Sequence, residues 1–233
     1  MDGVIIEMGR SHSHDVLASL SPVVTTSLAR LAEGWEPSRT PVTPRKAASV
    51  VLCRDGVTGL ETYLLHRHAR MAFAASMVVF PGGGVDPVDR SVADPLPACG
   101  VRETREEAGV DLDATQLVPW AHWITPAVQP IRYDTFFYLA PLPAGQTAAD
   151  LSTETDRAAW TAPVAAVAAY EAGELAMMPP TLSILLELAG LDTVARALAV
   201  GRDRVVEPVL PEVVRAGDRW VYRYPPPPGG GAG

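Results

Sequence analysis

Glu103, Glu106 and Glu107 stand at i, i+3 and i+4 in the stretch R-E-T-R-E-E-A-G-V, so on a helix their carboxylates leave from one face within a few Å of each other. Three like charges so spaced weaken a helix that has nothing bound. A hard divalent cation with oxygen ligands turns the same repulsion into coordination. Upstream, Gly82, Gly83 and Gly84 follow the apolar residues 77–80; lacking a Cβ, they let main-chain atoms come close to an ion or a phosphate. Glycine loop and acidic helix read as one site for Mg²⁺, with Mn²⁺ as the alternative ion. Mg²⁺ keeps several waters and is completed by a few carboxylates and substrate phosphates.

The elements that must position these groups follow from pattern. Residues 47–53 and 60–65 are apolar and β-branched on either side of R-D-G-V-T-G, which predicts a β-hairpin. Arg67 lies just past its end, where a cation could face the phosphates of a ligand. Residues 116–124 and 132–140 read as two strands, the second alternating and aromatic. Arg132 could contact a phosphate there, and Trp123 and Phe137 could stack on a base, although rings on alternating strands more often build core. Residues 152–160 carry Glu154 and Asp156 on a loop entering a further strand.

Pro163 opens an alanine-rich helix reaching residue 172. Residues 181–188 and 191–200 make two more helices joined at Gly190; they could cap the fold, shape a pocket or form a homodimer surface. Residues 205–214 and 219–224 read as short terminal strands. At the other end, residues 1–44 form an arm with a short helical pattern over 16–34, interrupted at Pro22. Residues 225–233, rich in Pro and Gly, read as a disordered tail.

The stretch R-E-T-R-E-E-A-G-V over residues 102–110 resembles the core of the Nudix box, R-E-U-x-E-E-x-G-U with U aliphatic, and F-P-G-G over 80–83 resembles its usual lead-in. A solvated acidic face would account for three glutamates, but not for Arg102, Gly109 and the glycine loop at matching positions. Thr104 stands where the pattern prefers an aliphatic residue. The pattern's earlier acidic position falls on Asp89, and 12 residues rather than seven separate it from Arg102. The extra length, with Pro95 and Pro97, is expected to bulge as a loop before the helix.

The resemblance implies an α/β fold, a Nudix-type α/β/α sandwich with a mixed sheet and additional C-terminal helices, over residues 45–224. It implies hydrolysis of a diphosphate in X-P-P-nucleoside compounds, with Glu103, Glu106, Glu107 and the Gly82 carbonyl as metal ligands. Glu106 or Glu154 would accept a proton from the attacking water, and Arg102 would brace the carboxylates. W-I-T-P at 123–126, R-Y-D-T-F-F at 132–137 and P-P-T-L at 179–182 resemble the branch that includes the peroxisomal acyl-coenzyme A diphosphohydrolases of animals and their bacterial relatives. Leu64, Leu65 and Arg67 also match part of a coenzyme A-specific pattern, whose other marked positions are replaced by His68, Ala72 and Ser76. Coenzyme A or acyl-coenzyme A therefore leads as substrate. ADP-ribose, NADH and FAD are rivals, and a nucleotide-binding module without turnover is the reading from another class.

Composition narrows the field further. Across 233 residues, 48% hydrophobic and 20% charged residues suit a globular fold. A net charge of −8 lacks the basic face that duplex nucleic acid requires. Of the 19 basic residues only Lys46 is not Arg, which, with abundant Ala, Gly and Pro, suggests a GC-rich bacterial source. Cys53 and Cys99 read as buried thiols of a cytoplasmic protein rather than a disulfide pair. No apolar run approaches the length of a membrane span, and residues 1–8 lack the pattern of a signal peptide.

Overall fold

The computed structural model describes residues 14–36, 38–67, 76–151 and 155–225. Its sheet grows from the hairpin β1 (Arg45–Gly56) and β2 (Gly59–Arg67), in which Gly56 faces Gly59 and only Val57 and Thr58 form the turn. The turn is shorter than the six-residue cluster suggests because pairing continues through Arg54 and Asp55. Gly59 has φ of 125°, a conformation open to glycine. β3 (Val78–Val79) pairs with β2, and β4 (Gly82–Gly84) lies antiparallel to β1, with Gly82, Gly83 and Gly84 opposite Ser49, Ala48 and Ala47. A Cβ on Gly82 would meet the Ala48 carbonyl oxygen and the Ser49 Cα at 2.6 Å. The glycine run is thus a pairing element as well as a loop.

β5 (Val118–Ile124) and β6 (Tyr133–Pro141) form an antiparallel pair, and β6 runs parallel to β1. β7 (Thr155–Thr161) adds to β2, and the short β8 (Pro208–Val209) to β5. The resulting eight-stranded sheet is mixed, in the order β3-β2-β1-β6-β5-β8 with β4 on β1 and β7 on β2. β9 (Glu212–Ala216) and β10 (Arg219–Arg223) form a separate hairpin.

Each face of the sheet buries its own core, as period-two alternation requires. Ala48, Val50, Leu52, Tyr63, Leu65 and Tyr138 pack with Cys99, Ala108 and Val110 on one side. Val51, Cys53, Leu64, Phe137 and Leu139 pack on the other with Ile184, Leu185, Leu188 and Ala197. The helices follow that division. After α1 (His14–Ser19) and α2 (Thr26–Glu33), which are separated around Pro22, α3 (Pro95–Ala108) covers the first face. α4 (Pro163–Glu171), α5 (Pro179–Leu188) and α6 (Val194–Arg202) cover the second. This is the expected α/β/α sandwich. Both thiols are free and buried, one in each core.

One expectation is corrected. The extra residues before Arg102 do not bulge up to the helix: Pro95 is its first residue and Pro97 lies in its first turn. The first-turn N–H groups have no partner within a helix, so proline is tolerated there and its fixed φ favours helix initiation. The expected disorder of the tail falls, beyond Pro225, outside the described residues.

Candidate active site

α3 begins at Pro95 and ends at Gly109, whose φ of 67° closes the helix in the left-handed region while its N–H donates to the Arg105 carbonyl. Gly100 lets the helix settle onto the sheet; a Cβ there would lie 3.0 Å from Val50 Cγ2. Thr104, replacing an aliphatic residue of the resembled pattern, is fully buried and donates its hydroxyl to the Gly100 carbonyl at 2.7 Å. The polar substitution is thereby satisfied within the helix.

So seated, the acidic face of α3 meets the glycine run. Glu107 is buried, and its Oε2 accepts the Gly82 N–H at 2.8 Å. Glu103 packs on Gly83 so closely that a Cβ there would lie 2.3 Å from its Oε1. Glu106 is more open, with 57% of its side chain exposed. Two of the three carboxylates thus lie against the glycine run, and Glu106 is joined to Glu103 through Arg102.

Arg102 ties the group together. Its Nη1 donates to Glu106 Oε2 at 3.1 Å and contacts Glu103 Oε1 at 2.9 Å, while Nη2 donates to the Gly84 carbonyl at 3.1 Å. Nε and Nη2 grip the two oxygens of Asp89 at 3.0 and 2.9 Å, the planar fork that suits a carboxylate. Asp89 is buried and also accepts the Asp86 N–H at 2.8 Å. Its bond to Arg102 holds its carboxyl below the usual carboxylate range. Asp89 is therefore the far anchor of the arginine despite the lengthened connection. Its acidic type at the offset of the pattern was the available signal.

The electrostatics of Glu103 run the other way. Burial raises its pKa and outweighs the Arg102 contacts that lower it, and the neighbouring Glu106 and Asp89 add to the rise. Beneath it, Cys99 donates its thiol to the Gly83 carbonyl at 3.4 Å, and burial pushes that thiol up to about 12. Cys99 is a packing group under the loop, not a nucleophile.

The three carboxylates leave one helix face, partly buried and mutually repelling, beside the main chain of the glycine run, a set that fits a hard divalent ion. In these rotamers no three Asp, Glu, His or Cys side chains among the described residues converge on one point. Ion binding at Glu103, Glu106 and Glu107 would require side-chain rearrangement, for which Glu106, far more exposed than Glu103, has the more room.

The other sequence candidates among the described residues are Arg67, Arg132, Trp123 and Phe137. Arg67 ends β2, with its N–H on the Met77 carbonyl and Thr155 as its strand partner. Arg132, expected to reach a phosphate, is buried and donates instead to the Thr125 and Val42 carbonyls at 3.0 and 2.7 Å. It locks the β5–β6 connection to the residues before β1. Trp123 and Phe137, expected to stack on a base, are buried in the core on the side of the sheet opposite α3. Glu154, and with it His68 and Ala72, falls outside the described residues.

A model of the NUDIX domain matches residues 43–179, more than half of the chain. The chain belongs to the Nudix family. It is 30% identical over 182 residues to putative nudix hydrolase 7 of Caenorhabditis elegans, covering 62% of this chain and 60% of that protein's length. Among solved structures it resembles a NUDIX hydrolase from Alicyclobacillus acidocaldarius, with a TM-score of 0.62, 25% identity, and 68% of this chain and 96% of the other covered. The matched residues take in β1 to β7, α3 and the glycine loop, whereas α5 beyond Pro179, α6, β8 and the β9–β10 hairpin lie outside them. No helix among the described residues is long and apolar enough to cross a membrane.

Proposed function

We propose that this Nudix protein is a Mg²⁺-dependent pyrophosphohydrolase that cleaves the diphosphate of an adenosine-linked metabolite, with coenzyme A or acyl-coenzyme A as substrate. The observation that carries the reading is the seating of Glu103 and Glu107 on Gly83 and Gly82, with Arg102 and Asp89 bracing the helix face. Glu103, Glu106 and Glu107, with the main chain at Gly82, would hold the ion. Bound there, Mg²⁺ would neutralise phosphate oxygens and lower the pKa of a water.

The chain's own residues prepare that chemistry. Glu107 is positioned by the Gly82 N–H, Glu103 fills the space left by the missing Cβ of Gly83, and Arg102 holds Glu103 and offsets the repulsion among the carboxylates. Glu106, the most exposed of the three, is the carboxylate that accepts the proton of the attacking water, with Glu154 as the alternative base. Comparing Glu106→Gln with Glu154→Gln separates them, because loss of the base flattens the acidic limb of the pH profile of kcat, where that carboxylate gives up its proton, while the other variant keeps it.

The choice of coenzyme A rests on the motifs at 123–126, 132–137 and 179–182 and on Leu64, Leu65 and Arg67. ADP-ribose, NADH and FAD present the same adenosine-linked diphosphate. Mg²⁺-dependent turnover of coenzyme A, acetyl-coenzyme A, ADP-ribose, NADH and FAD, with products identified by mass, tests the proposal. The highest kcat/KM is expected for a coenzyme A compound. Cleavage of nucleoside triphosphates alone would overturn it. Ligand binding without any turnover would make the chain a sensing module.

A further inference from the structure

A diphosphate entering a site rimmed by Asp89, Glu103, Glu106 and Glu107, on a chain of net charge −8, needs a cation that is available to it. Arg102 is occupied by three carboxylates and the Gly84 carbonyl. Arg132 is occupied by two carbonyls. Lys46, the sole lysine, stands differently. Its carbonyl accepts the Val85 N–H at 2.9 Å, one residue along from Gly84. Its ammonium lies 5.9 Å from the centre of the Phe136 ring, which belongs to the core under α3. Lys46 thus projects on the same face of the sheet as Glu103, beside the glycine loop.

The ammonium is mounted on a buried support. Nζ donates to Asp134 Oδ2 at 2.7 Å, Asp134 Oδ1 meets His122 Nε2 at 2.6 Å, and the His122 ring stacks on Phe136 at 3.9 Å and 20°. The side chains of Asp134 and His122 are each 13% exposed, that of Lys46 57%. Burial alone would raise the pKa of Asp134, but its bonds to Lys46 and His122 bring it down, so it stays ionised as an anchor. An ammonium has three N–H donors, and Asp134 is the one acceptor bonded to it among the described contacts. A lysine held in this way loses less side-chain freedom on meeting an anion than a loose one would.

We propose that Lys46 is a specificity-determining residue that contacts an anionic group of the substrate, with Asp134 and His122 as positioning residues. This rests on the diphosphate reading above. In the full chain with Mg²⁺, Lys46→Met is expected to raise KM for coenzyme A about tenfold, the size of a lost charge-assisted hydrogen bond. kcat should stay within about twofold, and Lys46→Arg should restore most of the affinity.

Dephospho-coenzyme A measured alongside separates the two sources of the anion. An equal rise for both substrates identifies the bridged diphosphate, and a rise for coenzyme A alone identifies the phosphate on its ribose; either upholds the contact. Asp134→Asn should raise KM on its own and add little on the Lys46→Met background, whereas a purely structural Asp134 would lower the unfolding temperature and kcat in both. KM unchanged in Lys46→Met for every substrate overturns the proposal. Should the wild type turn over none of them, the diphosphate reading falls separately. Calorimetric binding of ADP-ribose then decides for Lys46: a dissociation constant unaffected by Lys46→Met overturns the contact, and a weakened one upholds it.

Discussion

Glu107→Gln removes a charge while keeping an oxygen that can still accept the Gly82 N–H. Its effect should therefore fall on chemistry rather than folding: kcat lower by about 10²–10³, the size seen when one stabilising group at a developing charge is removed, with an unchanged unfolding midpoint. Asp89→Asn tests the opposite balance. It takes from the partly buried Arg102 fork the carboxylate that grips it through two nitrogens, and we expect a loss of about 2–3 kcal/mol in urea unfolding. The sign of the pH dependence follows from the depressed pKa of Asp89. Its stabilisation is fully present above the unfolded carboxylate value and disappears as pH falls through the lower folded one. Below about pH 4, wild-type stability should therefore fall more steeply than that of Asp89→Asn. Parallel curves would show that the arginine has another anchor.

At the scale of elements, neighbouring glycines of β4 carry different duties. A methyl group at Gly82 strikes the β1 backbone at Ala48 and Ser49, which cannot move without opening the ladder, whereas one at Gly83 strikes the carboxylate end of Glu103, a side chain that can rotate away. Gly82→Ala should cost about 2–3 kcal/mol of stability. Gly83→Ala should leave the protein folded and lower Mg²⁺-dependent turnover at least tenfold. Equal unfolding midpoints for the two variants would refute the distinction. A second element-level device caps α3. Ala149 and Leu151 donate to the carbonyls of Ala108 and Glu107, satisfying groups that a helix end leaves open. Gln146 exchanges two bonds of 2.8 Å with the Asp111 main chain. Gln146→Ala should speed hydrogen exchange at Asp111, Ala149 and Leu151 while leaving the N–H of Val50 protected.

For the molecule as a whole, the two faces of the sheet divide the work. The α3 face carries Arg102, Glu103, Glu106 and Glu107, with Lys46 on the same side; the α4–α6 face carries the larger apolar core and a buried polar knot in which Glu187 accepts from Trp120 Nε1 at 2.9 Å and from Arg204 at 2.6 Å. Glu187→Ala would take a carboxylate from a buried guanidinium that lies over the Trp120 ring, at a cost of about 3–5 kcal/mol. Because this knot lies across the sheet from α3, kcat of the molecules that remain folded should be unchanged. A fall in kcat at full folding would mean that the two faces communicate.

The sequence alone determined what depends on local geometry. Spacing of three, four and four residues put Glu103, Glu106 and Glu107 on one helix face and Arg102 within reach of Glu106, since helical neighbours are set by 3.6 residues per turn whatever surrounds them. Alternation likewise revealed the hairpin and the strands that became β5 and β6, and helical patterning the C-terminal helices. Tertiary structure decided what spacing leaves open. Proline can end a loop or begin a helix, and only the packing of α3 placed Pro95 at its start. Phe136 and Phe137 are adjacent letters, yet β6 sends them to opposite faces, so the register assigned Phe136 to the side of the site and Phe137 to the far core. Asp89 met Arg102, and Arg132 met backbone carbonyls, because the folded chain brought together groups whose separation in sequence carries no information about distance.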